Sequence, residues 1–138
     1  MFLMKANIAV ITILSNDVPL LAQFYRDALG FKIIVDSEEY VEFENIGVRF
    51  SICSKRLMAI NTDGHSSFLE ERKGQSFELC FPCDSPELVQ KTYRDILTKG
   101  AIAIKEPTIM PWGQTTAFFA DPEGNIHSIY ADEETSDS

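Results

Sequence analysis

A five-residue segment occurs twice in this chain: Tyr25-Arg26-Asp27-Ala28-Leu29 returns as Tyr93-Arg94-Asp95-Ile96-Leu97, 68 residues later. Self-similarity at a fixed spacing marks one supersecondary unit used more than once. The surroundings of the two copies follow a common grammar. An apolar run (8–14; 77–81) leads into a polar break carrying a proline, Asn16-Asp17-Val18-Pro19 in one copy and Asp84-Ser85-Pro86 in the other. A segment of helical period follows, over 20–29 and 87–97. Asp17 and Ser85 are placed to cap the first amides of each helix, and a proline suits a first turn whose N–H has no partner anyway. Gly30 and Gly100 stand where a left-handed residue would end each helix. Leu21, Phe24, Tyr25, Ala28 and Leu29 form one apolar stripe, and Leu88, Val89, Thr92, Tyr93, Ile96 and Leu97 form another. Stripes at that spacing are core faces, so their aromatic residues read as packing.

Short β-type runs come after each helix, over 31–35, 40–44 and 47–53, then over 101–104, 115–120 and 125–131. The last strands align through their turns, Gly47 with Gly124, an offset of 77. The growth from 68 to 77 is assigned to a long loop over 106–114 in the second copy. Each unit is thus one strand, one helix and three strands. The expected fold is α+β, with tandem βαβββ modules in a single domain over 1–138. Module one covers 6–53 and module two 76–131. A polar linker over 54–75 carries one helical turn near Phe68, and the acidic tail over 132–138 is expected to be disordered. A module of about 65 residues covers its sheet poorly alone, so the two are expected to pair.

Charge narrows the partners. Twelve Lys and Arg against 21 Asp and Glu give a net charge of −9, a field that repels phosphate backbones and anionic lipid. Neither a nucleic acid nor a membrane is an expected partner. The apolar N-terminal run is broken by Lys5 and Asn7 and lacks a small-residue cleavage pattern, and no stretch reaches the ~20 apolar residues of a membrane span. Three cysteines without framework spacing suggest a reducing compartment, hence a cytoplasmic protein.

Asn16-Asp17-Val18, Phe24-Tyr25 and Leu29-Gly30-Phe31 in the first copy carry a resemblance, as do Phe118-Phe119-Ala120-Asp121-Pro122-Glu123-Gly124-Asn125 in the second. Together they resemble the vicinal oxygen chelate superfamily, which includes glyoxalases, bleomycin-resistance proteins, fosfomycin-resistance enzymes and extradiol dioxygenases. The resemblance runs over 6–130. Its Asp-Pro-x-Gly-Asn turn marks a fold and not an activity, because the fold hosts several unrelated functions. Taken by itself that segment is a tight turn, with Gly124 in a conformation closed to residues bearing a Cβ and Asp121 in a structural role.

The resemblance implies cupped mixed sheets with helices outside, and a homodimer. It also implies a divalent metal bound by one residue from the first strand and one from the last strand of each module, usually His, Glu or Gln. Counted from the Asp17 break and the Asp-Pro-Glu-Gly-Asn turn, and carried between copies by the two offsets, those positions are Val10, Ser51, Glu78 and Ser128. Valine cannot coordinate and neutral serine hydroxyls bind divalent cations weakly. One carboxylate does not make a site, so no cofactor is expected.

Alternation over 77–81 sends Phe77, Leu79 and Phe81 toward the helix and Glu78 and Cys80 toward the cup. In apolar surroundings the Glu78 pKa would rise, fitting it as a general base or a cation-binding group. The competing expectation pairs Glu78 with Arg49 or leaves it in solvent at the rim. His127, beside Ser128, should point to the opposite face and pack under the helix. Cys80-Phe81-Pro82-Cys83 is a literal Cys-x-x-Cys ahead of a helix, the setting of redox centres. The strand through Cys80 should nevertheless put the two thiols on opposite faces, and zinc bound with Cys53 or His65 ranks lower still. Trp112 lies in the 110–114 loop, where it either stacks on a planar ligand or packs as a lid over its own core. Phe68, Phe119 and Tyr130 could line the same wall.

The expected ligand-binding set is therefore Val10, Ser51, Glu78, Cys80, Trp112, Ser128 and Tyr130. Two functions follow. The favoured one is metal-free binding of a small apolar or aromatic molecule, the role of the bleomycin-resistance relatives. The other is a glyoxalase-like lyase, isomerase or dioxygenase, with a non-standard metal site or with Glu78 as the base.

Overall fold

Both polar breaks end a strand and start a helix, as their residues require. In the computed structural model, which describes residues 3–133, β1 (Val10–Ser15) passes through the first break into α1 (Val18–Asp27). There Asp17 Oδ1 accepts the Leu20 amide at 3.2 Å. At the second break β5 (Cys80–Pro82) leads to α3 (Pro86–Thr98), whose cap Ser85 accepts the Leu88 amide, with Pro86 in the first turn. Gly30, at φ 83°, closes α1: its amide returns to Arg26 O and that of Phe31 to Tyr25 O, a termination that favours glycine.

The strands that follow complete two four-stranded sheets with the same order. In the first, β1 pairs in parallel with β4 (Arg49–Ser54), which pairs antiparallel with β3 (Tyr40–Phe43), and β3 with β2 (Ile33–Asp36). In the second, β5 pairs in parallel with β8 (Ile126–Ala131), then β7 (Thr115–Ala120) and β6 (Ile102–Ile109) follow antiparallel. The α+β reading and the tandem unit are therefore correct. By internal contacts the chain divides into two compact units, 1–26 with 30–71 and 27–29 with 72–138.

Each unit has its own core on the helix side of its sheet. In the first unit the buried Tyr25 ring of α1 lies 5.4 Å from Phe50 and 6.0 Å from Phe43, with Phe31 5.2 Å from Phe50. Val41 and Ile52 are buried beside them. In the second unit Val89, Tyr93 and Ile96 of α3 are buried with Ala117, Phe119 and Ile129. Burial of rings this large supplies most of the driving force for closing a layer of this size.

The sequence reading needs three corrections. The 54–75 segment is not a linker with a single turn: α2 (Lys55–Asn61) occupies its start, because Ser54 caps it by accepting the Leu57 amide and Lys-Arg-Leu-Met-Ala favours helix. The expected turn near Phe68 is present as a 3₁₀ turn over Ser66–Phe68. The long loop expected over 106–114 is strand as far as Ile109. β6 runs through Pro107 to Ile109, which an edge strand tolerates because one side of its backbone has no ladder to break, and its register shifts there. Finally, the strand expected from Phe77 begins only at Cys80, and Phe77 is half exposed. Of the acidic tail only Asp132 and Glu133 fall within the described residues.

The turn before β8 is held by one buried carboxylate. Asp121 is fully buried and its Oδ1 accepts the amides of Glu123 and Asn125, each at 3.0 Å, while Oδ2 accepts Asn125 Nδ2 at 2.8 Å. Gly124 takes the positive φ of 87° that lets the turn close. Arg72 and Gln75 brace the same turn from the preceding segment, through Asn125 Oδ1 and through both backbone groups of Ile126. Asp121→Ala would orphan buried donors, so urea unfolding should show a loss of about 2–4 kcal/mol. A loss below ~1 kcal/mol would mean the turn does not depend on this carboxylate.

Candidate functional site

Alternation gives each sheet a second face, turned away from its helix. In the first unit Val41, Phe43, Phe50 and Ile52 belong to the helix side. Tyr40 and Glu42 of β3, Arg49, Ser51 and Cys53 of β4, and Val10, Thr12 and Leu14 of β1 therefore share the open side. Thr12, Ser51 and Glu42 form one transverse row in register. Thr12 and Ser51 hydroxyls bond at 2.9 Å, and Ser51 is fully buried. Val10, opposite Arg49 in the ladder, is half-buried.

Glu42 is the strongest electrostatic feature of this face. Arg49 grips it as a fork, Nε to Oε2 at 3.0 Å and Nη2 to Oε1 at 2.6 Å, and the Tyr40 hydroxyl donates to Oε1 at 2.7 Å. Arg49 and then Tyr40 hold the Glu42 carboxyl down to about 2. Burial, and then this carboxylate, push the Tyr40 hydroxyl up. Arg49 thus pairs with Glu42, not with Glu78 as one sequence expectation had it. Nothing in the sequence reading singled out Glu42. Its position opposite Ser51 and seven residues before Arg49 was the available signal, once β3 and β4 were paired.

In the second unit Phe81, Phe119 and His127 meet on the helix side, with ring centroids 5.9 Å apart for Phe81–His127 and for Phe119–His127. His127 is buried there, as alternation predicted. Its Nδ1 accepts the Leu79 amide at 3.1 Å and its Nε2 lies 3.8 Å from Asp121 Oδ2. Phe119 consequently faces the core and not a ligand wall. The open side carries Cys80, Ser128 and Phe118 in one row and Pro82, Tyr130 and Thr116 in the next. Cys80 is exposed, Ser128 is buried, and Tyr130 is half-buried. Of the sequence-designated residues, this sheet brings together Cys80, Ser128 and Tyr130.

Glu78 stands outside any strand and is exposed, so the apolar enclosure expected for it is not there. The cause is the late start of β5. Trp112 sits at the tip of the β6–β7 hairpin, 65% exposed, which rules out a lid packed on its own core. A chain of bonds holds it: Trp112 Nε1 donates to Gln114 Oε1 at 3.0 Å, and Gln114 Nε2 to Asp132 Oδ1 at 2.9 Å. The Cys-x-x-Cys pair divides as expected. Cys83 turns toward α3, its Sγ 3.9 Å from Thr92 Oγ1, and burial pushes its thiol up. Phe68 pairs edge-on with His65 on the 3₁₀ turn.

A surface depression of about 570 Å³ opens at one end of the first unit, lined by the α1 entry, Glu38, Glu39 and the start of α2. Arg56 is forked onto Glu39 there at 2.7 and 2.8 Å. None of the seven sequence-designated residues lines it.

The sequence matches the glyoxalase-like domain over residues 8–132. The chain belongs to this family. Solved structures agree on the fold. A glyoxalase/bleomycin resistance protein/dioxygenase family enzyme from Burkholderia phytofirmans PsJN superposes with a TM-score of 0.82 at 23% identity, covering 91% of this chain and 98% of that one. A glyoxalase-related enzyme from Fulvimarina pelagi gives 0.82 at 18% identity, covering 93% and 89%. The lactoylglutathione lyase of Agrobacterium tumefaciens gives 0.66 at 16% identity, covering 93% of this chain and 95% of that one. No curated protein matches the sequence. The glyoxalase-like chain is thereby a member of the vicinal oxygen chelate superfamily.

The residues at the positions where the resemblance implies metal ligands do not fit a divalent metal. Val10 has no donor, Ser51 spends its hydroxyl on Thr12, Ser128 is neutral and Glu78 stands alone. Glu42, the carboxylate in register with Ser51, has both oxygens engaged by Arg49 and Tyr40. Among the described residues no group of three or more His, Cys, Asp or Glu is placed to hold a metal ion, and no helix is long and apolar enough to cross a membrane.

Because the folded Glu42 value lies below its ordinary 4.5, its contribution to stability is complete above that value and is lost as the pH falls toward 2. Between about pH 5 and pH 2 the wild type should lose stability more steeply than Glu42→Gln. Urea midpoints across that range measure the difference, and parallel curves would show that the fork contributes nothing.

Proposed function

We propose that this glyoxalase-like protein binds a small apolar or aromatic molecule on the open side of its sheet without a metal, as a cytoplasmic homodimer. The observation that carries this reading is the donor set itself: valine and two serines occupy three of the four positions where the superfamily places metal ligands. Exposed Phe77, Ile104, Ile109 and Trp112 offer apolar area for a second copy to cover. Free thiols at Cys53, Cys80 and Cys83 fit a reducing compartment.

A second reading keeps catalysis, as a lyase, isomerase or dioxygenase with Glu78 as the base. It is favoured by the accessibility of that carboxylate and by the shared fold of the Agrobacterium lyase. Metal analysis of protein purified at neutral pH separates the readings from the superfamily's usual chemistry. Substoichiometric nickel, zinc, manganese and iron, with a thermal midpoint indifferent to EDTA, is the expected result; one equivalent of any of these metals would overturn the metal-free reading. Light scattering should give twice the chain mass, and a monomer across the micromolar range would remove the dimer.

A further inference from the structure

One hydroxyl in the second unit has no partner. Thr116 lies in the interior of β7, is 4% exposed, and its buried Oγ1 makes no hydrogen bond. A buried hydroxyl left unpaired forfeits the bond it would make in water, so such atoms are rare unless something else supplies a partner. The side chain faces away from α3, because Ala117 and Phe119, of the opposite parity in β7, are fully buried toward α3, with Phe119 against Phe81 and His127. Its ladder neighbours do not satisfy it. Thr108, opposite on β6, gives its hydroxyl to Glu106 O at 2.9 Å, and Tyr130, opposite on β8, makes no bond to it. Valine would fill the same volume with no polar atom to satisfy. The threonine thus keeps a polar atom where the sheet has no use for one.

What surrounds Thr116 defines the chemistry. Tyr130 shares its row, and Phe118 and Ser128 stand in the next, with Cys80 beyond. Phe118 and Tyr130 are both half-buried, one two residues along the strand from Thr116 and one opposite it in the ladder. The one charged residue in register with these rows is Lys105, opposite Phe118 at the β6 edge, and it is exposed. A charged ligand group seated at Thr116 would therefore lose its hydration without gaining a counter-charge.

We infer that Thr116 is the polar anchor of the ligand site on this face, and that the site takes a flat, uncharged aromatic molecule carrying a hydroxyl or carbonyl oxygen on one edge. A threonine hydroxyl both donates and accepts, so either oxygen satisfies it. The inference rests on the binding reading above and specifies which ligand class fits it.

The test uses two probes of nearly equal shape, 2-naphthol and naphthalene, titrated into the full chain and followed by their fluorescence. Wild type should bind 2-naphthol about tenfold more tightly than naphthalene, the effect of one hydrogen bond to a buried group. Thr116→Val should keep the naphthalene affinity and lose the preference, and Thr116→Ser should retain it. Should Thr116→Val fail to fold, Thr116→Ala reads the same loss. A preference that survives in Thr116→Val, or equal binding of both probes by wild type, would overturn the anchor while leaving the binding reading in place. Binding of neither probe by wild type would overturn both.

Discussion

The parallel pairing of first and last strand in each unit is the constraint on which the rest depends. β1 beside β4, and β5 beside β8, can be joined only by a connection that leaves the sheet and returns, and α1 and α3 with the strands after them provide it. That pairing fixes which residues face each helix. Once Tyr25 packs on Phe43 and Phe50, the opposite parity of β3 and β4 must carry Glu42, Arg49 and Ser51. Once Phe119 and His127 pack with Phe81, the opposite parity must carry Cys80, Thr116, Phe118 and Ser128. A slip of one residue in either sheet would exchange core for surface throughout, so the cores enforce the register.

The same topology yields two faces of different chemistry. On the first sheet polar groups satisfy each other: Thr12 with Ser51, and Glu42 with Arg49 and Tyr40. A carboxylate with three of its four acceptor sites taken by a guanidinium fork and a phenol is poorly placed to bind a metal and has no readiness to take a proton near neutrality. On the second sheet the hydroxyl of Thr116 is unsatisfied. The first face is arranged as a closed network, whereas the second carries the unpaired Thr116 hydroxyl beside ring surface. That contrast is why a ligand is assigned to the second.

The repeat of Tyr25-Arg26-Asp27 at Tyr93-Arg94-Asp95 made the tandem unit legible, because helix caps and apolar stripes are local signals that tertiary contacts here reinforce. The offsets of 68 and 77 also located equivalent open-face positions: adding them to Thr12 and Ser51 gives Cys80 and Ser128, which pair in register. What escaped the sequence was set by pairing across distance. Glu42 acquires its meaning from Arg49 on the next strand, and Thr116 from the absence of a partner on both neighbours. β5 begins late because residues 75–79 bond to the β8 turn through Gln75 and to Ser128 and His127 through Leu79, which apolar alternation over 77–81 could not reveal. Glu78 lost its apolar setting for that reason.

On this reading an organic ligand meets the open face of the second sheet with no metal between them. Amide chemical shifts of labelled protein, followed during 2-naphthol addition with and without EDTA, test it most directly. The largest changes should fall at Cys80, Thr116, Phe118, Ser128 and Tyr130, identical in both conditions. Changes that vanish with EDTA, or that centre on Ser15 to Pro19 and the start of α2, would contradict it.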